Sequence, residues 1–454
     1  MMKNEIYNLK GVPQFVAVIM NIENQSFLYK IEENAYIPIS DNISIYLRGR
    51  NASLSSEEGM LVANIKNWIN KPVKSDFDKF IPKTFILKLI PTLRCNLRCS
   101  YCFSRDKNTD FDMSIETAKA AIDFFLNHFH LFSNCTYIVD LTGAGESLLR
   151  LDFILEVNKY VKEIEENSKI HIYCQLATNG MLLTPEISKI IQENGIIFGV
   201  SLDGDRKSSE NRNGLDYALV EKNINAIKYK DFFGIAATYD GVHNNIVSIF
   251  KALNLFELSV IGIKPVRLPS SSKNAINEEN IDKVLCSYKK FADYLFIELN
   301  MKNFSVWNRF INGEDYFARF LKIMLRKTRV RYRCSAGVNS FAVDSNGNIL
   351  ICPVFIGVHN YSLGSITEGF DSKKLREIQT LYADNIEKCK NCWAKNACAG
   401  ECFNVSFINS GNLKTPDEVM CKLKKYLIKL SMYFWTALKI NNPNLYKFCK
   451  DSVN

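Results

Sequence analysis

The sequence predicts an α/β fold built on a parallel sheet, on the evidence of three observations. Between residue 84 and about residue 300, apolar strands alternate with amphipathic helices six times, which predicts parallel strands joined by right-handed crossovers. A small α+β module is predicted before this region. After residue 330 the chain is rich in cysteine and has little periodicity. Because parallel sheets place their chemistry at the carboxyl ends of their strands, we expect functional residues just after each strand.

The N-terminal module is predicted from short apolar runs and one amphipathic segment. Alternating apolar residues predict three strands at Gln14–Met20, Ser26–Ile31 and Ser44–Leu47. A helix follows, because its apolar residues recur at helical spacing on one face: Leu61, Ile65, Trp68 and Ile69. A polar stretch from Lys71 to Lys79 closes the module.

The central region supplies six predicted strands and the helices between them. The strands are Thr84–Leu89, Tyr137–Leu141, Ile170–Ala177, Ile196–Ser201, Phe233–Thr238 and Ser259–Lys264. Helical periodicity is evident at Glu116–Phe129, Phe153–Glu165 and Tyr217–Lys228, and a last helix is predicted at about Pro416–Lys439. We therefore divide the chain into an N-terminal module at residues 1–80, the strand–helix region at residues 81–310 and a cysteine-rich domain at residues 311–454.

Composition restricts the class of protein. With 47% apolar and 23% charged residues, the 454-residue chain is expected to be globular with two or three domains. The net charge of +9 is scattered along the chain and indicates no particular partner, and because no nucleic-acid module is evident we predict no nucleic-acid partner. Residues Met1 to Lys10 are polar and no apolar run of about 18 residues exists, which predicts a cytoplasmic protein without a membrane anchor. Fourteen cysteines in a reducing compartment then indicate metal binding or catalysis.

Three cysteines stand directly after the first predicted strand of the central region. Cys95, Cys99 and Cys102 have the spacing C-x3-C-x2-C within the segment PTLRCNLRCSYCF. Three thiolates on one tight loop can each bind one iron of a [4Fe–4S] cube. The fourth iron then has no protein ligand and forms a site for a substrate, as an open position does in a catalytic zinc centre. A zinc loop is the alternative.

This motif resembles that of the radical S-adenosylmethionine (AdoMet) superfamily, in which an aromatic residue, here Tyr101, precedes the last cysteine. The resemblance implies a TIM-like partial (β/α)6 barrel and a cluster whose free iron chelates AdoMet. It implies cleavage of AdoMet to a 5′-deoxyadenosyl radical, with electrons from a donor such as flavodoxin or ferredoxin. On this analogy Cys95, Cys99 and Cys102 are the catalytic cluster ligands.

Further segments after the strands resemble the AdoMet-binding turns of that family. Ala144-Gly145-Glu146-Ser147 partly matches the GGEP loop that holds the AdoMet ammonium, and Thr178-Asn179-Gly180 follows the third strand. Ser201-Leu202-Asp203-Gly204 and Arg212 resemble the SLDG segment and arginine of peptide-modifying members. The resemblance assigns AdoMet binding to Tyr101, Gly145, Glu146, Asn179, Ser201, Asp203 and Arg212. Each short segment alone is equally well explained as an ordinary turn.

The second cysteine array lies beyond residue 330 and resembles the SPASM domain, which binds two auxiliary [4Fe–4S] clusters. Its spacing is Cys334-x12-Gly347-x4-Cys352, then Cys389-x2-Cys392-x5-Cys398-x3-Cys402-x18-Cys421. The family pattern implies one cluster on Cys389, Cys392, Cys398 and Cys421. It implies a second cluster on Cys334, Cys352 and Cys402, with three thiolates only. Zinc ribbons are the structural alternative, although only one C-x2-C pair is present.

Two enzyme functions compete within the family. A peptide maturase would abstract hydrogen from a ribosomally made precursor peptide and form a cysteine thioether crosslink, as in sactipeptides. An anaerobic sulfatase maturase would make formylglycine, but Ser340 and Pro353 replace a cysteine and an acidic base of those enzymes. An iron–sulfur electron-transfer protein is the alternative outside enzymology. We predict the peptide maturase, with residues 1–80 as a possible site for the precursor's leader.

Overall fold

A computed structural model describes residues 6–13, 16–72, 82–104, 112–129, 135–168, 170–230 and 233–453. The strands of these ranges are short, and in chain order they are β1 (Ile6–Asn8), β2 (Ala17–Ile22), β3 (Gln25–Lys30), β4 (Ala35–Ile39), β5 (Thr84–Leu89), β6 (Thr136–Asp140), β7 (Ile172–Thr178), β8 (Ile197–Ser201), β9 (Phe233–Tyr239), β10 (Val260–Pro265), β11 (Ser340–Val343), β12 (Asn348–Leu350), β13 (Ser362–Ser365) and β14 (Gly369–Phe370).

The α-helices of the same ranges vary from four to 24 residues in length. In chain order they are α1 (Asp41–Leu47), α2 (Ser56–Asn70), α3 (Ile115–Phe129), α4 (Leu151–Ser168), α5 (Pro185–Glu193), α6 (Tyr217–Asn225), α7 (Ile246–Asn254), α8 (Ile281–Asn300), α9 (Phe304–Ile311), α10 (Tyr316–Arg326), α11 (Ser372–Gln379), α12 (Glu387–Lys390), α13 (Lys395–Cys398), α14 (Phe403–Ser410), α15 (Glu418–Asn441) and α16 (Pro443–Val453). Within these ranges, no helix is both long and apolar enough to cross a membrane.

One predicted strand is wrong. Residues 44–47 belong to helix α1, because the Ser40 side chain accepts a hydrogen bond from the backbone N–H of Ile43 and caps the helix. Ile43 and Leu47, four residues apart, are both buried on one helical face. The predicted strand at Gln14–Met20 begins at Ala17, and its first two residues, Gln14 and Phe15, lie outside the described residues.

The chain forms two compact units, each made of segments distant in sequence. The first unit contains residues 1–79, 276–333 and 381–454, and the second contains residues 80–275 and 334–380. The boundaries at residues 80 and 310 predicted from the sequence stay a prediction. The units show in addition that residues 276–333 group with the N-terminal and C-terminal segments.

The second unit contains the predicted parallel sheet. Its strand order is β10-β9-β8-β7-β6-β5-β11-β12-β13-β14, and β5 to β10 pair in parallel, each with its neighbour in sequence. This order, with helices between the strands, confirms the partial (β/α)6 barrel. One face of the sheet packs on helices, as where Phe85 of β5 stacks on Phe129 of α3 with ring centroids 4.6 Å apart. All six strands therefore end at the same edge.

The first unit contains the N-terminal module and most of the long helices. Strands β1 to β4 form an antiparallel sheet in sequential order, which confirms an α+β module. Its core includes Leu28, Ile43 and Ile65 from a strand and both helices. Helix α15 is buried along most of its length, and Trp435 on it donates its indole N–H to the Leu321 carbonyl oxygen of α10 at 2.9 Å.

Candidate active site

The three cysteines of the first motif lie together on the loop after β5. The loop is held by backbone hydrogen bonds to the segment after β8, from the Arg98 N–H to the Asn213 oxygen at 2.8 Å and from the Ser100 N–H to the Asn211 oxygen at 2.9 Å. A cavity of about 280 Å³ is lined by this loop, and its walls include Cys95, Cys99 and Cys102. The structure therefore places the three cysteines on the wall of one cavity, and their role as cluster ligands stays a prediction.

Gly145 fixes the start of this loop against the turn after β6. The Glu146 N–H donates to the Arg94 carbonyl oxygen at 2.8 Å. A Cβ atom on Gly145 would lie 2.3 Å from that oxygen and 2.8 Å from the Thr92 oxygen, so only glycine allows this approach. Ser104 donates its hydroxyl to the Ala144 oxygen on the far side of the loop. The backbone of the GGEP-like segment thus packs against the cysteine loop and stabilises it.

Glu146 connects this turn to the turn after β7. Its carboxylate accepts hydrogen bonds from the Asn179 N–H at 2.8 Å and the Leu148 N–H at 3.1 Å. Burial raises the pKa of Glu146, since only 3% of the residue is exposed. The Asn179 amide in turn donates to the Asn96 side chain at 2.7 Å and lies 4.0 Å from the Cys95 sulfur. Two predicted AdoMet residues therefore meet at the cysteine loop.

The end of β8 contributes a buried ion pair. Arg212 donates two hydrogen bonds to the Asp203 carboxylate, from Nε at 2.9 Å and from an Nη atom at 2.8 Å, in a bidentate arrangement. The Tyr101 hydroxyl donates to the same carboxylate, and the Thr238 N–H donates to it at 2.8 Å. Ser201, half-buried, is the last residue of β8. Because Asp203 already occupies two of the five Arg212 donors, direct binding of AdoMet by Arg212 would use the remaining ones.

The charges of this site act on the cysteine thiols. Burial raises the pKa of Cys99 to about 11, and the neighbouring Arg212 charge opposes that increase. Burial likewise raises the pKa of Cys95. Iron binding requires thiolates, so cluster assembly at these cysteines releases protons. The cationic Arg212 favours the thiolate form needed for assembly.

A polar network beyond the predicted residues supports the same loop. The Ser100 hydroxyl donates to the Asn211 side chain at 3.1 Å, and Asn211 donates to buried Asp240, which follows β9. His243 contacts Asn211 at 3.2 Å and Glu210 at 2.8 Å. Asn211, Asp240 and His243 were not predicted from the sequence as site residues. The rule that chemistry follows each strand would have identified Asp240, which comes directly after β9.

The residues of the loop fit an iron–sulfur cluster. Three thiols face one cavity whose wall also contains Arg94 and Arg98, and these cations complement an anionic cluster. In the described ranges, no three His, Cys, Asp or Glu side chains converge closely enough to hold a single metal ion. A four-iron cube has a different requirement, because each cysteine binds a separate iron.

The cysteines of the second array are divided between the two compact units. Cys389, Cys392, Cys398 and Cys421 belong to the first unit. Cys398 interacts electrostatically with both Cys389 and Cys421, and Cys392 with Cys389, so the four thiols lie near one another. Cys402 is also in the first unit, whereas Cys334 and Cys352 are in the second. The proposed ligand set of the second auxiliary cluster therefore stays a prediction.

The cysteines outside both arrays behave as small buried side chains or stand at the surface. Cys174, within β7, and Cys135, just before β6, are buried, as the sequence analysis expected. Cys449 is also buried, and Cys286 is exposed. Ser340, which occupies a cysteine position of sulfatase maturases, is buried as the first residue of β11.

Comparison with known proteins identifies the class to which this fold and site belong. Residues 89–248 match the family model of the Radical SAM superfamily, so the chain is a radical SAM enzyme. Residues 334–393 match the iron–sulfur cluster-binding SPASM domain. The protein is therefore a radical SAM enzyme of the SPASM type.

Several curated proteins are similar over most of their length. The chain is 24% identical over 349 residues to a cysteine-type anaerobic sulfatase-maturating enzyme of Clostridium novyi (strain NT), covering 72% of this chain and 90% of the relative. It is 23% identical over 368 residues to the radical SAM cyclopropyl synthase TigE of Paramaledivibacter caminithermalis, covering 76% of this chain and 73% of TigE.

Two solved structures share the fold. Native anSMEcpe with bound AdoMet superposes with a TM-score of 0.61 at 21% identity, covering 81% of this chain and 99% of the other. Streptococcus suis SuiB bound to the precursor peptide SuiA gives a TM-score of 0.52 at 14% identity, covering 92% of this chain and 99% of the other. These likenesses concern the fold.

Proposed function

We propose that this protein is a peptide maturase that forms a cysteine thioether crosslink in a ribosomally made precursor peptide. The observation that supports its radical chemistry is the cavity lined by Cys95, Cys99 and Cys102 at the carboxyl edge of the parallel sheet. When bound, the first cluster and AdoMet would supply the radical that removes a hydrogen atom from the peptide, and the auxiliary clusters would accept the one electron released when the carbon radical joins a deprotonated cysteine sulfur.

The side chains of this chain have definite tasks in that proposal. Cys95, Cys99 and Cys102 hold the first cluster. Gly145 leaves room for the backbone of the cysteine loop, and Glu146 and Asn179 present polar groups at the edge where the AdoMet amino group would bind. Asp203 and Arg212 form a rigid charged pair, which needs little reorganisation when a polar nucleotide enters. Ser201 ends β8 two residues before Asp203, and the Tyr101 hydroxyl donates to the Asp203 carboxylate.

Sulfatase maturation is the second candidate, since curated relatives in Clostridium carry that name. Two residues argue against it. Pro353, which starts a short 3-10 helix directly after Cys352, has no acidic side chain to serve as the base. Ser340 stands where those enzymes have an additional cysteine ligand. SuiB, whose solved structure holds the precursor peptide SuiA, favours a peptide substrate.

The N-terminal module is proposed to recognise the leader of the precursor. Strand β1 is at one edge of the antiparallel sheet, where an extended peptide can add as a further strand. A cavity of about 310 Å³ in the module is lined by three cations, Lys10, Arg50 and Lys66, with Tyr46 beside them. These charges favour an acidic leader.

The test is a reaction with candidate peptides followed by mass spectrometry. Full-length, anaerobically reconstituted protein, AdoMet and a cysteine-containing precursor should give a product lighter by two hydrogens. The Cys95→Ala variant should produce no 5′-deoxyadenosine, and removing the leader should reduce turnover. A sulfatase peptide converted to formylglycine would favour the second candidate, and an unchanged mass with deuterium incorporated from heavy water would indicate epimerisation instead.

A further inference from the structure

Helix α15 buries a lysine beside the second cysteine array. Lys424 has no exposed surface, and its ammonium donates to Glu401 Oε2 at 2.7 Å and to the Gly400 carbonyl oxygen at 3.1 Å. Glu401 itself is 2% exposed in its side chain. A buried charged pair is weak evidence for a stabilising role, because its desolvation can exceed the attraction between the charges. Its position therefore calls for another explanation.

The pair lies between cysteines that the sequence assigns to clusters. Gly400 and Glu401 stand between Cys398 and Cys402, and the Cys398 thiol donates to the same Gly400 oxygen at 3.2 Å. The second Glu401 oxygen accepts the Cys402 N–H at 2.7 Å. Cys421 precedes Lys424 by three residues, about one helical turn, on α15. The hydrogen bonds of Lys424 thus connect the loop between Cys398 and Cys402 to helix α15, which carries Cys421.

The charge of Lys424 also reaches the thiols. It interacts electrostatically with Cys398 and Cys421, as well as with Glu401. A [4Fe–4S] cube bound by four thiolates is anionic, and reduction adds one more negative charge. A fixed cation at this position therefore stabilises the reduced state more than the oxidised state.

We propose that Lys424 is a positioning residue that raises the reduction potential of the auxiliary cluster on Cys389, Cys392, Cys398 and Cys421. Glu401 opposes it electrostatically and links the lysine to Cys402, the predicted ligand of the other auxiliary cluster. The pair sets how readily this cluster accepts an electron. The inference rests on the auxiliary clusters of the proposed function and on the ligand set predicted from the sequence, and it is independent of which bond is formed in the peptide.

The test is a redox titration of full-length reconstituted protein, followed by electron paramagnetic resonance. Lys424→Met should lower the potential of one auxiliary cluster and make its reduction at least tenfold less favourable, which is 59 mV for one electron. Glu401→Gln should shift the same potential upward, because the lysine then acts without its counterion. Lys424→Arg should stay near the wild-type value. If a single variant fails to fold, the double variant Lys424→Met, Glu401→Gln is titrated instead, because it leaves no unpaired charge in the buried site.

Lys429→Met is the matched control. Lys429 is a second buried lysine of α15, 4% exposed, whose ammonium lies 5.9 Å from the centroid of the Trp393 ring. Its removal should leave the potential unchanged. The proposal would be overturned if the single variants Lys424→Met and Glu401→Gln both had the wild-type potential at equal iron content. It would also be overturned if Lys429→Met shifted the potential as much as Lys424→Met does. Only about four irons per chain in the wild-type protein would overturn the predicted ligand set. If the potentials shift as expected but the peptide reaction fails, the result counts against thioether formation alone.

Discussion

Asp203 and Arg212 illustrate how one buried pair organises the candidate site. Their side chains are 1% and 7% exposed, and Tyr101 from the cysteine loop joins them through its hydroxyl. Burial disfavours the charge on Arg212, but the Asp203 carboxylate more than compensates, so the pKa of Arg212 is raised. The pair therefore holds the loop after β8 and the cysteine loop together at the sheet edge.

Removing one charge of this pair should be costly. We expect Asp203→Asn to destabilise the protein by about 3–5 kcal/mol, because it leaves the Arg212 charge buried without a counterion. Denaturant unfolding measures the loss, and 5′-deoxyadenosine yield reports the effect on the site. Glu210→Gln, on the same loop but with a side chain that is 61% exposed, is the control and should change stability by less than about 1 kcal/mol.

The double variant Asp203→Asn, Arg212→Gln should recover part of the lost stability, since it removes the uncompensated charge. If Asp203→Asn unfolds at the wild-type denaturant concentration, the pair does not organise the site as described.

At the scale of elements, the turn after β6 and the loop after β5 depend on one close approach. We expect Gly145→Ala to displace the cysteine loop, because the new Cβ would meet backbone atoms of residues 92–94 that have no rotamer to change. Iron per chain after reconstitution should fall by about four, the content of one cube. Gly199→Ala in β8, whose Cβ would lie 3.5 Å from the Gly234 oxygen, should retain its iron. Full iron binding by Gly145→Ala would contradict this role.

The sequence predicted some elements well and others poorly for physical reasons. The strand Thr84–Leu89 matches β5 at both ends, because alternating burial and a following turn mark its limits. The wrong strand at Ser44–Leu47 has an apolar run too short for periodicity to separate strand from helix. The capping serine, Ser40, was the signal that favours the helix. At the site, the motif cysteines and glycine turns were visible, but supporting side chains such as Asn211 have no distinctive spacing.

At the scale of the whole molecule, the sequence gives local patterns and not the association of distant segments. Asn34, in the N-terminal module, donates its side-chain amide to the Asn396 carbonyl oxygen at 3.0 Å, across 362 positions of chain. Tyr29 packs edge-on against Trp393 with ring centroids 5.9 Å apart. The module thus packs on the segment that carries Cys392 and Cys398. Neither contact follows from periodicity, which explains why the first compact unit was not predicted.

The number of clusters is a property of the whole molecule, and iron counting tests it. Three cubes with four irons each predict about twelve irons per chain in anaerobically reconstituted wild type. Replacing Cys95, Cys99 and Cys102 with alanine should leave about eight and abolish AdoMet cleavage. Replacing Cys389, Cys392, Cys398 and Cys421 should also leave about eight, while AdoMet is still cleaved. Cys135→Ala, at a buried cysteine outside both arrays, is the control and should leave the count unchanged. A count near four in the wild type would mean that the second array holds no clusters.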